Sequence, residues 1–384
     1  MLTAERNELL TRVGRVTPVG ELFRRYWLPA LLATRGARAL VALLALAGLA
    51  PFFVAAQDSR GVLAALAAYE GADRHQRLLE GARREGFLSL YTSFPPEDVA
   101  TLNAAFERKY GVKVRAWRAA SEKVLQRIVA EAQAGRDEVD LVDSNSVPLE
   151  LLRRRGLLQA VRSPYHADLI PAAVPEHREW AWARLSVFVQ AYNTRLIKQA
   201  ELPASYGDLL DPRWKGKLGI EASDEDWFAE VVRTLGEEKG LNLFRELAAK
   251  NGLSVRRGHS LLAQMVASGE VPFALTVYNF TADQLKGQGA PLEWFMLSPA
   301  VAHGNGFAVI RRAPHPHAAL LYYEFMIGDD GQRILAERKS VPTSRKIHTA
   351  LDRSSLKIID PVVLVDQGER WAKLYEEIVV RAGR

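Results

Sequence analysis

Gly86–Leu158 reads GFLSLYTSFPPEDVATLNAAFERKYGVKVRAWRAASEKVLQRIVAEAQAGRDEVDLVDSNSVPLELLRRRGLL. Short apolar runs alternate here with longer stretches whose apolar residues recur at helical spacing. Phe87–Tyr91 reads as a first strand. Pro96 opens a helix that sets Val99, Leu102 and Phe106 on one face, because residues three and four apart are neighbours on a helix. Val112–Trp117 is a second strand, and Ser121 is placed to cap a helix carrying Val124, Leu125, Ile128 and Val129. Val139–Val142 is a third strand, followed by a loop Asp143-Ser144-Asn145-Ser146 and another helix. Strands separated by helices pair in parallel, and such sheets bind ligands beyond the carboxyl ends of their strands.

Working outward, a helical stretch covers Leu63–Glu85, and Trp180–Tyr192 is strand-rich. Strand-loop-helix units follow in SYGDLLDPRWKGKLGIEASDEDWFAEVVRTLG and GHSLLAQMVASGEVPFALTVYNFTADQLKGQGAPLEWF. GNGFAVIRRAPHPHAALLYYEFMIGDDGQRILAERKSVPT gives a strand, a proline turn and two helices. With no internal repeat or Pro/Ser linker, two α/β lobes joined by crossing strands fit better than two separate beads.

The 384 residues contain no cysteine, which removes thiolate catalysis, cysteine zinc sites and iron–sulfur ligation. The formal charge is +6, yet residues 1–56 carry seven Arg and three Glu. The basicity therefore sits mostly in the leader, and the nearly balanced body is a poor nucleic-acid surface. In RGARALVALLALAGLAPFFVAAQDSRG (Arg35–Gly61), Arg35 and Arg38 precede an apolar run from Ala39 to Val54. Val54-Ala55-Ala56 suits signal peptidase, so residues 35–56 are expected to be a signal peptide cleaved before Gln57, with periplasmic export. The run is shorter than the about 20 residues of a spanning helix. An uncleaved segment 39–56 would instead anchor the chain, as in a membrane-tethered sensor.

NELLTRVGRVTPVGELFRRYWLPALL (Asn7–Leu32) resembles the start of phthalate-dioxygenase-type Rieske oxygenases. The cysteines their cluster needs are missing, so residues 1–34 are expected to be a fusion or a misplaced start without catalytic function.

LLDPRWKGKLGI, AYNT, GAPLEW and APHPHAALLYYEFMIGDDGQRIL, in that order and spacing, resemble the extracellular solute-binding proteins of ABC importers, in their iron(III)-binding branch. The likeness spans Gly86 to Thr343. It implies an α/β, type II periplasmic-binding-protein fold with two lobes, a hinge and one ligand in an interlobe cleft. The lobes are expected at 57–188 with 300–345, and at 189–299 with 346–384. An inner-membrane ABC permease is the implied partner, and a monomer is expected.

In such a fold, strand ends and helix N-termini hold the ligand. Ser93 follows the first strand, as a ligand contact or a helix-entry residue. Arg118 follows the second and could grip a carboxylate or phosphonate bidentately, or be a solvated charge. Ser144 and Asn145 follow the third, as anion donors or an Asx-type turn. Glu221 and Ser223 lie at a strand end, with Asp224 read as a helix cap. Trp227 could stack on a ring or fill the core. Tyr278 and Asn279 end the strand PFALTVYNF. His303 and Asn305 lie where the chain crosses back between lobes, in the cleft or in a hinge turn.

In the ferric relatives a pair of adjacent tyrosines, a histidine and a glutamate bind iron. Their positions fall on Phe280 and Thr281, on Pro95, and on Ser144. No metal site or cofactor is therefore expected. The ligand is expected to be an organic anion or a metal chelate, the alternative being ferric iron held by Tyr278 with an exogenous anion. Tyr322 and Tyr323 read as core. His315 and His317 read as a structural turn, and His259 and Ser260 as a helix start. No nucleophile–base constellation supports a hydrolase, and a non-enzyme is expected.

Overall fold

The computed structural model describes residues 61–349, 351 and 353–382. The expectations for residues 1–56, and the start of the first lobe at 57, lie outside the described residues. The strands are β1 (Phe87–Thr92), β2 (Lys113–Arg118), β3 (Leu141–Asn145), β4 (Leu158–Gln159), β5 (Ala181–Asn193) and β6 (Leu218–Glu221). They continue as β7 (Ser254–Arg256), β8 (Phe273–Tyr278), β9 (Leu292–Phe295), β10 (Val301–Ile310), β11 (Val341–Pro342) and β12 (Lys357–Ile358). The helices used below are α1 (Arg74–Glu85), α2 (Pro96–Tyr110), α3 (Ser121–Gln133), α4 (Ser146–Arg154), α5 (Glu225–Leu235), α6 (Glu237–Asn251), α7 (His259–Ser268), α8 (Asn279–Gly287), α9 (Pro316–Ile327), α10 (Asp329–Glu337) and α11 (Pro361–Tyr375).

The strand order is β2-β1-β3-β10-β5-β8-β6-β7. β1, β2 and β3 pair in parallel, as do β6, β7 and β8 among themselves. Two long strands join these parallel sets. β10 runs antiparallel to β3 on one side and to β5 on the other. β5 pairs with β10 through its first half, and with β8 and β9 through its second. All thirteen residues of β5 are buried, as befits a strand covered on both faces.

Two hydrophobic cores flank this seam. One gathers Leu88, Leu90, Phe106, Leu141 and the α9 side chains, and continues along β5 to Leu262 and Val266 of α7. The other holds Phe188, Trp227, Phe228, Phe244, Phe273 and, from α11, Trp371 and Tyr375. Each large apolar side chain so buried contributes about 1.5–3 kcal/mol. α9 is buried on every side, the pattern of a core helix. Its Tyr322 and Tyr323 are packed there, donating or sharing hydrogen bonds with Asn103 and His166 at 2.7 Å each. His315 binds Asp140 through its backbone N–H and Nδ1 at 2.6 and 2.9 Å, and His317 engages Glu85 in the same way. Both histidines thus pin the start of α9.

The structure corrects several local expectations. The upstream helix is two pieces, residues 61–68 and α1, separated by a turn. Ser121 is the first residue inside α3 and makes no capping bond. β3 starts at Leu141 and runs through Asn145 directly into α4, so the expected loop does not form. His303 and Asn305 lie within the continuous strand β10 rather than a hinge turn. The reason in both strand cases is ladder pairing across the seam, with Asn305 opposite Asn145 and His303 opposite Ser186.

His166 and His177 give an acid-sensitive element. Burial holds both near pKa 4 instead of 6.5. Protonation therefore favours the unfolded chain, and stability falls as pH drops from 6.5 toward about 4. A His166→Gln/His177→Gln double variant is expected to show a shallower decline of Tm across that window in calorimetry.

Candidate functional site

Polar side chains gather where β5 and β10 cross. On β5, Arg184 and Ser186 share a face because side chains alternate along a strand. Arg184 Nη1 donates to Ser186 Oγ at 2.9 Å, which donates to Asn305 Oδ1 at 2.6 Å. Asn305 Nδ2 donates in turn to Asn145 Oδ1 at 2.7 Å. The close approach of the two strands depends on glycines. A Cβ on Gly304 would meet the Trp182 ring at 2.2 Å, and one on Gly306 would meet the Ala181 carbonyl oxygen at 2.4 Å.

Arg184 is 3% exposed, and its guanidinium lies 4.0 Å from the Phe94 ring centre and 5.2 Å from that of Phe280. Phe94 follows β1 while Phe280 opens α8, so rings from both parallel sets flank one cation. Arg184 Nε has no hydrogen-bond partner. Burial lowers the Arg184 pKa, and the negative charges of Asp143 and Asp98 oppose that. Asp143 is fully buried. Its Oδ2 accepts from Thr92 Oγ1 at 2.8 Å, Ser93 N at 3.1 Å and Ser93 Oγ at 3.4 Å. Its Oδ1 has no partner. Burial raises the Asp143 pKa against the pull of Arg184.

On the far side, the Tyr278 ring stacks on His259 with centres 4.1 Å apart, and on Phe280 at 5.6 Å. His259 Nε2 meets Asp224 Oδ1 at 2.9 Å, and His303 Nε2 meets Asp226 Oδ2 at 3.0 Å. Glu221 accepts from Gly258 N at 2.8 Å and from Ser223 N. One donor atom each from Glu221, Asp224 and His259 lie within 4.8 Å of one another.

Charge governs this pole. Burial would lower the His259 pKa, but Asp224, Glu221 and Asp226 outweigh it and raise it. Burial likewise opposes ionisation of Asp226, and its contact with His303 overcomes that, holding Asp226 low. Burial and the Asp224 charge push Glu221 up. Burial and Asp226 raise Glu225 to about 8, with Glu122 of α3 adding to the repulsion. Burial and the carboxylates push the Tyr278 hydroxyl well above its ordinary value.

The expected residues divide accordingly. Asn145, Asn305 and, through Asp143, Ser93 join the Arg184 network. Glu221, Tyr278 and His303 belong to the carboxylate–histidine pole. Ser144 is fully buried with an unpartnered hydroxyl. Arg118 is exposed and donates to the Phe94 carbonyl at 3.2 Å. Ser223 is exposed and contributes its backbone N–H.

Two expectations are corrected. Trp227 is fully buried against Tyr206 and Phe244, which fixes it in the core and leaves no face for a ligand ring. Asn279 spends its side chain on Val187 N and the Lys339 carbonyl at 3.2 Å each, tying α8 to β5.

Sequence patterns do not place Arg184, Asp143, Asp226 or Phe94 in the site, and they mark Asp224 and His259 only as helix-start residues. The signal for Arg184 was a lone charge inside the run AWARLSVFVQAYN.

Residues 101–350 match the family model described as bacterial extracellular solute-binding protein. The chain is 26% identical over 290 residues to the Fe(3+)-binding periplasmic protein of Serratia marcescens, covering 72% of this chain and 85% of that protein. It is 23% identical to iron uptake protein A1 of Synechocystis over 270 residues, covering 65% and 73%. The fold matches iron-bound HitA from Pseudomonas aeruginosa with TM-score 0.67 and 23% identity, over 76% of this chain and 99% of that one. AfuA from Actinobacillus pleuropneumoniae, with fructose-6-phosphate bound, matches with TM-score 0.67 and 22% identity, over 77% and 99%. The crossing strands, the paired parallel sets and these matches make the fold that of type II periplasmic binding proteins, and the chain belongs to the bacterial extracellular solute-binding proteins.

Proposed function

We propose that this substrate-binding protein of an ABC importer captures a small solute carrying an anionic group, anchored by Arg184, and passes it to an inner-membrane permease. The supporting observation is the guanidinium itself. It is buried between Phe94 and Phe280, hydrogen-bonded to Ser186 and unpartnered at Nε. A buried donor without a partner costs about 1–3 kcal/mol, and a carboxylate or phosphoryl oxygen satisfies it. Closure of the parallel sets around the solute would shift an open population toward a closed one, with β5 and β10 as the hinge. The work is binding and release, with no bond made or broken.

Carboxylates, phosphate esters and phosphonates are expected to raise the Tm in proportion to occupancy. Small-angle scattering should show a smaller radius of gyration with the same compounds. A panel in which no anion does either would overturn the reading.

Ferric iron is the second reading, favoured by the names of the relatives and by the nearby donors of Glu221, Asp224 and His259. The phenol fits it poorly. Its neighbour Phe280, stacked on the Tyr278 ring, supplies no second oxygen. Titration with ferric citrate is expected to give no visible phenolate-to-iron absorption band; such a band would restore the iron reading.

A further inference from the structure

We infer that the solute is a zwitterion whose anionic end meets Arg184 and whose protonated amine meets Asp224. This rests on Arg184 as the anion anchor and adds the opposite pole.

Three carboxylates, Asp224, Asp226 and Glu221, surround the Tyr278–His259 stack. Asp226 is occupied, by His303 Nε2 at 3.0 Å and by Trp227 N at 2.7 Å. Glu221 is occupied, by Gly258 N and Ser223 N. Asp224 is half occupied. His259 takes Oδ1, while Oδ2 is buried with no partner in a residue only 2% exposed.

The position of Asp224 makes that oxygen conspicuous. It is the N-cap residue of α5 and makes no side-chain capping bond. An aspartate there ordinarily accepts from the helix's own free N–H groups. Here it turns to His259 instead, leaving an acceptor in need of a donor.

The charge around it selects the donor. Asp224 and Asp226 pair with His259 and His303. Arg184 reaches the same cluster through Phe280, which lies 5.2 Å from its guanidinium and stacks on Tyr278 at 5.6 Å. Tyr278 in turn stacks on His259 at 4.1 Å. A second anionic group here would meet three carboxylates, whereas an ammonium meets a free oxygen and needs no existing bond broken. A metal ion suits the pole less well. A metal held through His259 Nε2 and Asp224 Oδ1 would break their 2.9 Å contact, whereas an ammonium at Asp224 Oδ2 leaves it in place.

The test is calorimetric titration of the full chain with matched pairs. β-Alanine, γ-aminobutyrate and taurine are set against propionate, butyrate and ethanesulfonate, with Zn2+ alone as a further titrant. The charge-assisted hydrogen bond predicts that the best amino compound binds about 10–100-fold more tightly than its amine-free partner. Asp224→Asn should bring the ratio of dissociation constants within each matched pair to about one. The pairing in the unmutated protein is read independently of how the variant folds.

An amine-free acid binding as tightly as its partner would overturn the inference while leaving Arg184 as anchor. So would a preference that survives Asp224→Asn, or tight Zn2+ binding lost in that variant when no amino compound binds. Absence of binding in both acid series would remove the anchor and the inference together.

Discussion

Arg184→Gln is expected to abolish stabilisation by every anionic solute, weakening Kd by about 100-fold or more, as when one member of a buried charged contact is removed. The glutamine keeps a donor near Ser186 but carries no charge and lacks the forked geometry that grips a carboxylate. The unliganded protein should also melt earlier. Asp143, fully buried and held partly by the field of Arg184, would face its burial cost without that cation. Arg184→Lys separates the two effects. It returns the charge and so part of the lost stability, but as a compact ammonium it should recover little affinity. Differential scanning fluorimetry with and without ligand reads both. Normal ligand-induced shifts in Arg184→Gln would sink the assignment.

Gly306→Ala is the second large effect. The new methyl carbon would sit 2.4 Å from the Ala181 oxygen, 2.9 Å from the Ala181 carbonyl carbon and 3.0 Å from Trp182 Cα. All three are backbone atoms of β5, so no side chain can swing aside. The strands must part at the bulge between Asn305 and Gly306. A cost of about 2–3 kcal/mol follows, or a Tm lower by about 3–5 °C in a chain of this size. Separation there also draws Asn305 from Ser186, so affinity should fall with stability. Gly287→Ala is the control. Its Cβ would meet nothing within 4 Å, and alanine favours the helix. An unchanged Tm in Gly306→Ala would contradict the close strand approach.

The fold was legible because its information is local. Alternating apolar runs and helical spacings in Gly86–Leu158 marked β1, β2, β3 and the helices between them, and burial then forced parallel pairing. The misplacements lie where long-range pairing competes with local preference. Asp143-Ser144-Asn145-Ser146 has turn composition, yet pairing of β3 with β10 draws Ser144 and Asn145 into a strand. His303 and Asn305 look like a turn beside Gly304 and Gly306. Those glycines instead allow β10 to press against β5.

The site was legible only in part, for a related reason. A residue's type and its place at a strand end pointed to Asn145, Glu221 and Tyr278, and a place where the chain crosses back between lobes pointed to Asn305. The same signs also pointed to Trp227 and Asn279, because a strand end or a helix start can face the core as easily as the cleft.

The sequence by itself determined the alternation of strands and helices, the absence of cysteine chemistry, and a binding-protein architecture. Only the tertiary structure decided that Arg184, inside a buried strand, meets Phe94 and Phe280 from distant segments, and that Asp224 keeps one oxygen unpartnered. Secondary structure follows from interactions a few residues apart. A buried charge acquires its meaning from neighbours some ninety residues away in either direction, and chain closure, not spacing, brings them within reach.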